Sequence, residues 1–343
     1  MRAQLRLGGA LAGYNALTMN TKSSPSAPPR AFLDWPVVTD PEGWNTDVAL
    51  LGIQHSEPYA RDPQPNDQAK APDAIRARSP QISYRPDRWD FDFDNTFAAA
   101  IPVRCTDCGN FAWTEGSYDD FAASVTGHVR RLWKRDAQVF VLGGDHGITI
   151  PVLDALDALG EPVHIVHIDA HLDWREDIEG VRRGYSSPMR WASQSPFVSG
   201  MTQLGMRQTG SAARAEVEAA RKYGSRIFAA REIIRDGWSA ALATIPAGVP
   251  VYISIDADGI DPTEMPGVMA PSPGGFLYRE VAPVLQQIAE RNRVVGMDVV
   301  EVAPSYDSPN GITCIMAGRF VVNTLSGSWG SRGAMRRHRG QHG

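Results

Sequence analysis

The sequence predicts an α/β protein: a three-layer αβα sandwich whose middle layer is a mostly parallel, doubly wound sheet. Three observations support this fold class. Short runs rich in Val and Ile recur along the chain, and several are apolar at every position, as in strands buried on both faces. Segments with helical periodicity lie between these runs. Acidic residues and histidines follow some of the runs directly, where open α/β sheets form their sites.

Seven runs are predicted as strands and five segments as helices. The strands are Val48–Ile53, Gln138–Leu142, Val163–Ile168, Gln203–Met206, Arg226–Ala229, Val249–Ile255 and Val294–Val300. The helices are Asp119–Arg135, Ile150–Leu159, Ser211–Tyr223, Ile233–Ala243 and Arg279–Arg291. Their alternation predicts βαβ units, and the absence of an internal repeat or an interior linker predicts one domain.

We assign residues 31–326 to this domain, residues 1–30 to a flexible N-terminal arm and residues 327–343 to a basic flexible tail. Both ends are basic, since residues 1–30 and residues 331–343 contain lysine or arginine but no acid. The overall net charge of −5 therefore conceals a more acidic middle. An acidic body disfavours nucleic acid as a partner and favours small cations.

Length and cysteine content narrow the class of protein further. A chain of 343 residues is long enough for one large α/β domain with a sizeable core. No apolar run approaches the ~18 residues that a membrane span needs. Only three cysteines are present, Cys105, Cys108 and Cys314. So few argue against a disulfide framework, and we expect a cytoplasmic protein.

Three segments carry acidic residues and histidines, and each follows a predicted strand. They are Gly143-Gly144-Asp145-His146, Asp169-Ala170-His171-Leu172-Asp173 and Asp256-Ala257-Asp258-Gly259-Ile260-Asp261. Alternate residues of an extended chain point the same way, so the acids and histidines of one segment can face one point. The carboxyl ends of parallel strands meet at one edge of a sheet, so the three segments are expected to converge.

The converging side chains form a predicted site for two divalent metal ions. The six candidate ligands are His146, Asp169, His171, Asp173, Asp256 and Asp258. A set rich in oxygen, with two imidazoles and no thiolate, suits Mn²⁺ and accepts Ni²⁺ as the alternative. Two ions ~3.5–4 Å apart lower the pKa of a shared water and so supply a nucleophile. Asp145 is predicted to act in catalysis by fixing the tautomer of the His146 ring.

These segments resemble the ureohydrolase family of arginases, agmatinases and related guanidino-compound hydrolases, and agmatinase-like members in particular. The family signatures GGDH, DAHxD and SxDxDxxDP are all present, the last as Ser254 to Pro262, and the resemblance covers roughly residues 45–325. It implies an arginase-like fold and a binuclear manganese site. It also implies a homo- or hetero-oligomer, trimeric or hexameric, that acts on a small cationic guanidino substrate.

The resemblance assigns each ligand by position. One metal would be held by His146, Asp169, Asp173 and Asp256. The other would be held by His171, Asp169, Asp256 and Asp258, with Asp169 and Asp256 bridging. Asp298 to Pro304 is similar to the family's DxxExxP stretch, which makes Glu301 the guanidinium ligand. A carboxylate can accept two parallel N–H bonds from a planar guanidinium. The implied reaction is metal-assisted hydrolysis that releases urea and an amine.

One departure of the chain from the family, at Tyr185, bears on the substrate. Many arginases and agmatinases carry a His-Gly motif after DAHxD, and Tyr185 occupies the place of that histidine here. With an unperturbed pKa of ~10, tyrosine is a poor proton shuttle at neutral pH. We predict instead that Trp174 and Tyr185 wall a compact pocket. It would take a small guanidine, an N-alkylguanidine or a biguanide through cation–π contact.

Two other functions stay open at this point. One is a formiminoglutamate-type C–N hydrolase, and the other is a non-catalytic partner subunit of a hetero-oligomeric ureohydrolase. Intact ligands in all six positions count against the second. Among the remaining histidines, His55 could approach the site from a loop, while His164 and His167 are predicted to pack in the core or support the ligands.

Overall fold

The computed structural model describes residues 25–330, apart from residues 61, 63–65, 84, 114–116, 210 and 211. Eight of its strands form one parallel sheet in the order β4-β1-β5-β10-β9-β6-β7-β8, while β2 and β3 pair as a small antiparallel ribbon. The strands are β1 (Val48–Gln54), β2 (Trp89–Asp90), β3 (Asn95–Thr96), β4 (Cys105–Ala112), β5 (Gln138–Leu142), β6 (Val163–Ile168), β7 (Val198–Met206), β8 (Arg226–Ala229), β9 (Pro250–Asp256) and β10 (Arg293–Val300).

Helices cover both faces of the sheet, which confirms the predicted three-layer sandwich. They are α1 (Ala71–Ile82), α2 (Phe97–Ala100), α3 (Tyr118–Trp133), α4 (Thr149–Leu153), α5 (Pro188–Ala192), α6 (Arg214–Tyr223), α7 (Ala230–Asp236), α8 (Ser239–Leu242), α9 (Tyr278–Arg291) and α10 (Ile312–Trp329). Alternate residues of β5 enter two separate hydrophobic cores. Phe140 packs in the layer of α1, α9 and α10, whereas Val139 and Val141 pack in the layer of α3 and α4.

All seven predicted strands are present, and β5, β6 and β8 begin and end where the sequence placed them. The strand β4 was not predicted, because its buried positions include Asp107 and Asn110 rather than an apolar run. These polar groups are tolerated in the interior because the fully buried Arg76 of α1 donates hydrogen bonds to both side chains.

The helices differ more from the prediction than the strands do. The segment predicted as Ile150–Leu159 is α4 followed by a separate 3₁₀ turn, Leu156–Leu159. The segment predicted as Ile233–Ala243 is divided at Gly237, whose backbone has a φ of +83°. Neither α1 nor α10 was predicted. The helix α10 is buried around most of its circumference and so lacks the polar stripe that marks an amphipathic helix.

The sheet order brings the motif segments together. The strands β5, β10, β9 and β6 are adjacent, in that order, at the centre of the sheet. GGDH follows β5, the DAHxD segment follows β6, the third acidic segment begins at the end of β9, and Glu301 follows β10. Since the four strands are parallel, their carboxyl ends open onto one site.

The predicted terminal arm and tail fall largely outside the described residues, which exclude residues 1–24 and 331–343. The backbone of Ser26 pairs with that of Asn110 on β4 through two hydrogen bonds of 2.8 Å. At the other end, the described chain continues as α10 to Trp329. None of the helices that the structure describes is both long and apolar enough to cross a membrane.

Candidate metal and substrate site

Three carboxylates surround one nitrogen of His146, which begins a 3₁₀ turn just after β5. The Nδ1 atom lies 2.8 Å from Asp173 Oδ2, 3.2 Å from Asp256 Oδ2 and 3.3 Å from Asp169 Oδ2. All four side chains are buried. This group contains the four residues that the resemblance assigned to one metal.

A second imidazole approaches the same carboxylate from the other side. His171 Nδ1 lies 3.0 Å from Asp258 Oδ2 and 3.3 Å from Asp169 Oδ1. The two oxygens of Asp169 therefore face different imidazoles, Oδ2 towards His146 and Oδ1 towards His171. The structure thus brings all six predicted ligands into one cluster with Asp169 at its centre.

The charges of this cluster fit a divalent cation. Two buried atoms, His146 Nδ1 and Asp173 Oδ2, lack a hydrogen-bond partner. Burial raises the pKa of Asp256 well above its usual range, and the neighbouring Asp258 and Asp169 raise it further. Burial lowers the pKa of His146, but the surrounding carboxylates outweigh it and the pKa rises well above the usual value. Buried carboxylates this close need a proton or a metal ion between them.

A third imidazole, that of His167, supports the cluster without facing its centre. Its Nε2 lies 2.8 Å from Asp169 Oδ2, and its Nδ1 lies 3.1 Å from Gln203 Nε2. The Gln203 amide is oriented unambiguously, because Ser225 donates to its Oε1 while its Nε2 also donates to the Leu172 carbonyl. His167 Nδ1 therefore accepts, and its Nε2–H donates to Asp169, as the prediction of a supporting residue anticipated.

Two residues of the site adopt left-handed backbone conformations that are uncommon for side chains other than glycine. They are Asp173, with a φ of +52°, and Glu301, with a φ of +64°. The GGDH loop is also tightly packed, since a Cβ on Gly144 would lie 1.7 Å from the carbonyl oxygen of His55. Such strain is typical of sites whose side chains must be held in fixed positions.

The role predicted for Asp145 was wrong. Its carboxylate accepts hydrogen bonds from the backbone N–H groups of Glu57, at 2.7 Å, and Gly147, at 3.0 Å. The partner of the His146 ring is instead Ser254, whose Oγ lies 2.9 Å from Nε2. Asp145 is the N-cap of the turn, so its side chain is directed back to the backbone. Burial raises the pKa of Asp145 to about 7.

The Glu301 carboxylate lies beside the cluster of histidines and aspartates and contacts Gln68, a residue that was not predicted to belong to the site. Its Oε1 accepts from the His146 backbone N–H at 2.6 Å, and its Oε2 accepts from Gln68 Nε2 at 2.6 Å. Burial raises the pKa of Glu301 to about 8, and the charge of Asp145 adds to this rise. Gln68 lies only three residues before α1, and none of the sequence motifs includes it.

Tyr185 lies at the side of the site near Glu301. Its hydroxyl donates to Asp62 Oδ2 at 2.9 Å, and its ring centroid is 4.3 Å from that of Tyr59. Burial raises the pKa of Tyr185, as do its hydrogen bond to Asp62 and the nearby charge of Glu301. Asp62 also accepts from the Tyr59 backbone N–H, so the segment after β1 that carries Tyr59 and Asp62 is held against the loop of Tyr185.

Trp174 is not placed as a second wall of this pocket. The side chain is only 3% exposed and packs in a hydrophobic core, with its ring 5.8 Å from that of Tyr223. It lines a separate cavity of about 350 Å³ together with Arg190 and Trp191. Asp173 faces His146, and the next side chain along the chain points away from it.

His55 is a packed structural residue in this fold. Its ring lies against Trp113, Tyr118 and Phe121, and burial lowers its pKa to about 4. Its carbonyl oxygen accepts from the backbone N–H of Asp145 at 3.1 Å, so the residue positions the GGDH loop through its main chain.

Known proteins are similar to this chain in both sequence and fold. The model of the arginase family matches residues 46–326. A proclavaminate amidinohydrolase of Streptomyces clavuligerus is 32% identical over 293 residues, which span 83% of this chain and 89% of the relative. An agmatinase of Sodalis glossinidius is 28% identical over 307 residues, or 86% of this chain and 91% of the relative.

Solved structures agree with this match. The proclavaminate amidino hydrolase of Streptomyces clavuligerus superposes with a TM-score of 0.74 at 29% identity, covering 89% of this chain and 97% of that one. The formimidoylglutamase of Bacillus subtilis shares the fold, with a TM-score of 0.73 at 21% identity over 89% of this chain and 94% of its own. The predicted resemblance is therefore confirmed, and the chain belongs to the arginase family, hydrolases that act on amidino C–N bonds.

Proposed function

We propose that this chain is a two-metal hydrolase that cleaves a guanidino C–N bond and releases urea and an amine. The observation that carries the proposal is the position of Asp169, whose two carboxylate oxygens face two different imidazole nitrogens. This arrangement provides two neighbouring sets of nitrogen and oxygen ligands that share one carboxylate. The similarity to proteins named agmatinase and proclavaminate amidinohydrolase supports cleavage at an amidino carbon.

The ligand roles follow from these contacts. We assign His146 and Asp173 to one ion, His171 and Asp258 to the other, and Asp169 and Asp256 to both. The set suits Mn²⁺ first and Ni²⁺ as the alternative. When bound, two such ions supply Lewis acidity and lower the pKa of the water that they share.

The substrate group is proposed to be a guanidinium held by Glu301. Gln68 and the His146 backbone N–H fix the two oxygens of that carboxylate from the protein side. A planar guanidinium can donate parallel N–H bonds to a carboxylate held in this way. Burial raises the pKa of Glu301, and a bound cation offsets that cost because it favours the charged carboxylate.

The substrate is further proposed to be compact, as in guanidine, an N-alkylguanidine or a biguanide. The ring of Tyr185 is partly exposed, packs at a tilt against that of Tyr59 and offers an aromatic surface near Glu301, while Asp62 adds negative charge at the same place. Aromatic faces and a carboxylate together favour a small delocalised cation.

A panel of substrates tests the reaction and the size of the pocket. We would measure urea release from arginine, agmatine, guanidinobutyrate, guanidine, N-methylguanidine and a biguanide at equal concentrations. The small guanidines or biguanides are expected to give the highest kcat/KM. A strong preference for arginine would contradict the compact pocket. Turnover of N-formiminoglutamate without urea release from any guanidine would favour the alternative hydrolase instead.

The two-metal assignment is tested by metal content. Mass spectrometry of active protein is expected to find about two transition ions per chain. Asp256→Ala removes a shared ligand, so it should lower metal content and abolish activity. Asp236→Ala alters an exposed carboxylate that pairs with Arg235 and serves as the control. Fewer ions in fully active protein, or full activity of Asp256→Ala, would contradict the assignment.

A further inference from the structure

A chain of hydrogen bonds runs from the far side of the His146 ring into the sheet. His146 Nε2 lies 2.9 Å from Ser254 Oγ, and Ser254 Oγ lies 2.6 Å from Asp298 Oδ1. The other oxygen of Asp298 accepts from the hydroxyls of Tyr252 and Thr149, at 2.8 Å each. All five side chains are buried.

The sheet register aligns this chain. Ser254 on β9 is paired with Asp298 on the neighbouring strand β10. The same register pairs Met297 and Asp298 with Phe140 and Val141 of β5, the strand that leads into the loop of His146. This network of hydrogen bonds, which we call the relay, therefore joins side chains of β9 and β10 to His146 and Thr149, which follow β5.

With Asp298 ionised, the donors and acceptors of this network allow one arrangement of protons. An ionised carboxylate only accepts hydrogen bonds, and each hydroxyl has one proton to donate. The single protons of Ser254, Tyr252 and Thr149 are therefore all directed to Asp298. Ser254 has no proton left for the imidazole, so its oxygen accepts and His146 Nε2 must carry the hydrogen.

We propose that Ser254 and Asp298 are positioning residues that hold His146 in the Nε2–H tautomer and direct the lone pair of Nδ1 at a metal ion. This inference rests on the proposed two-metal site. It explains why Nδ1 is buried without a hydrogen-bond partner while it faces Asp169, Asp173 and Asp256. A partner on the far side of a ligating histidine also raises the basicity of the ligand.

The effect should be confined to one of the two ions. Among the described residues, the structure gives the His171 ring no comparable side-chain partner on the face away from the carboxylates. His167 is oriented by Gln203, on a separate network, and donates to Asp169. Disrupting the Ser254–Asp298 relay is therefore expected to weaken binding of the ion held by His146 and to leave binding of the ion held by His171 unchanged.

Titration of Mn²⁺ into the metal-depleted full chain tests this asymmetry. Ser254→Ala and Asp298→Asn are expected to weaken one of two binding events by about 10–100-fold and leave the other unchanged. Thr149→Val is the matched control, since it removes one donor to Asp298 but keeps the Ser254–His146 contact. Wild-type affinity for both ions in Ser254→Ala would overturn the proposal. An equal loss of affinity for the two ions in that variant would overturn it as well.

A second measurement leaves Ser254 and Asp298 unchanged. Nitrogen-15 NMR of histidine-labelled wild-type protein, loaded with diamagnetic Zn²⁺, reports which ring nitrogen of His146 carries the proton. His146→Asn identifies the resonance. A proton on Nε2 with Nδ1 bound to metal supports the relay, and a proton on Nδ1 overturns it.

The two failures can be told apart. Two bound ions and an Nε2–H tautomer, without urea release from any guanidine, would overturn the proposed function and leave the relay standing. Urea release with two ions, but with unaltered metal affinity in Ser254→Ala, would overturn the relay and leave the function standing.

Discussion

Glu301 combines a left-handed backbone with a buried carboxylate whose two oxygens already accept hydrogen bonds from the protein. Gln68 and the His146 backbone each donate to one oxygen, so the carboxylate cannot turn away from the site. A residue held in this way can recognise a guanidinium through its charge and its direction together. Changing only the charge separates these contributions.

Glu301→Gln is expected to lower kcat/KM for the guanidino substrate by at least about 30-fold, because the cation loses its charged partner. Metal content should stay unchanged, since the carboxylate binds the backbone of His146 and not its ring. The control is Glu161→Gln, at an exposed ion pair with Arg293. Wild-type kcat/KM in Glu301→Gln would contradict the role that we assign to this carboxylate.

Tyr185 can serve as an aromatic wall or as a proton donor, and two substitutions distinguish these roles. Tyr185→Phe keeps the ring beside Tyr59 but removes the hydrogen bond to Asp62. Burial raises the pKa of this hydroxyl, which makes it a weak acid, so we expect kcat to change little in Tyr185→Phe. Tyr185→Ala removes the ring and should raise KM by about tenfold. A 100-fold loss of kcat in Tyr185→Phe would instead assign proton delivery to the hydroxyl.

Residue identity and spacing were enough to predict which six side chains meet in the cluster, but not the residues that hold them in place. The alternation of Asp169, His171 and Asp173 after a strand can be seen directly in the sequence. The contact between His146 and Ser254 joins residues that are 108 positions apart, and only the strand register brings them together. Asp145 was assigned to His146 because the two are adjacent, but adjacent side chains diverge at a helical cap.

At the scale of single elements, one buried ion pair fastens α1 to the sheet. The guanidinium of Arg76 donates two hydrogen bonds of 2.8 Å to the Asp107 carboxylate of β4, and both side chains are fully buried. The turn just before α1 carries Gln68, which contacts Glu301. The ion pair therefore also fixes the start of the segment that reaches the site.

Arg76→Met is expected to lower the free energy of unfolding by about 3–5 kcal/mol, because it leaves the Asp107 charge buried without its partner. Urea unfolding followed by circular dichroism would measure the change. Arg85→Met, at an exposed pair with Asp87, is the control and should change the stability little. The double variant Arg76→Met, Asp107→Leu should recover part of the loss. An equal loss of unfolding free energy in Arg76→Met and in the control Arg85→Met would contradict this account.

Two of the elements that were missed, β4 and α10, lack the pattern by which a sequence reveals an element. The strand β4 reads as polar because its interior positions carry the partners of Arg76, which comes 31 residues before Asp107. The helix α10 reads as apolar throughout because it is enclosed by the sheet and by α1 and α9. Periodicity identifies an element only when one of its faces meets water.

At the scale of the whole molecule, the sequence predicted a parallel sheet but not the order of its strands. That order places β10 between β5 and β9, although β10 is the last strand of the chain. Only this arrangement sets Glu301 beside His146 and Asp298 beside Ser254. Long-range pairing decides these neighbours, and no local pattern encodes it. The family resemblance supplied the roles, and the topology explains why they fit together.

The sheet also buries a histidine that makes the stability of the whole protein depend on pH. His164 lies inside β6 with its Nε2 2.9 Å from Thr202 Oγ1, and burial lowers its pKa from 6.5 to about 4. In the unfolded chain the imidazole takes up a proton as the pH falls through about 6.5, whereas the folded protein resists protonation until about pH 4. The free energy of unfolding therefore decreases progressively as the pH falls from about 6.5 to about 4.

His164→Gln should remove this penalty. Between pH 7 and pH 5 the wild-type protein is expected to lose about 2 kcal/mol of unfolding free energy through His164 alone. Other groups also titrate in this range, among them Asp145, whose pKa burial raises to about 7, so the quantity to measure is the difference between variant and wild type at each pH. That difference should shift by about 2 kcal/mol in favour of the variant at pH 5. Thr202→Val keeps the imidazole and should show the same difference at both pH values. A pH-independent difference for His164→Gln would mean that His164 takes up its proton as readily in the folded protein as in the unfolded chain.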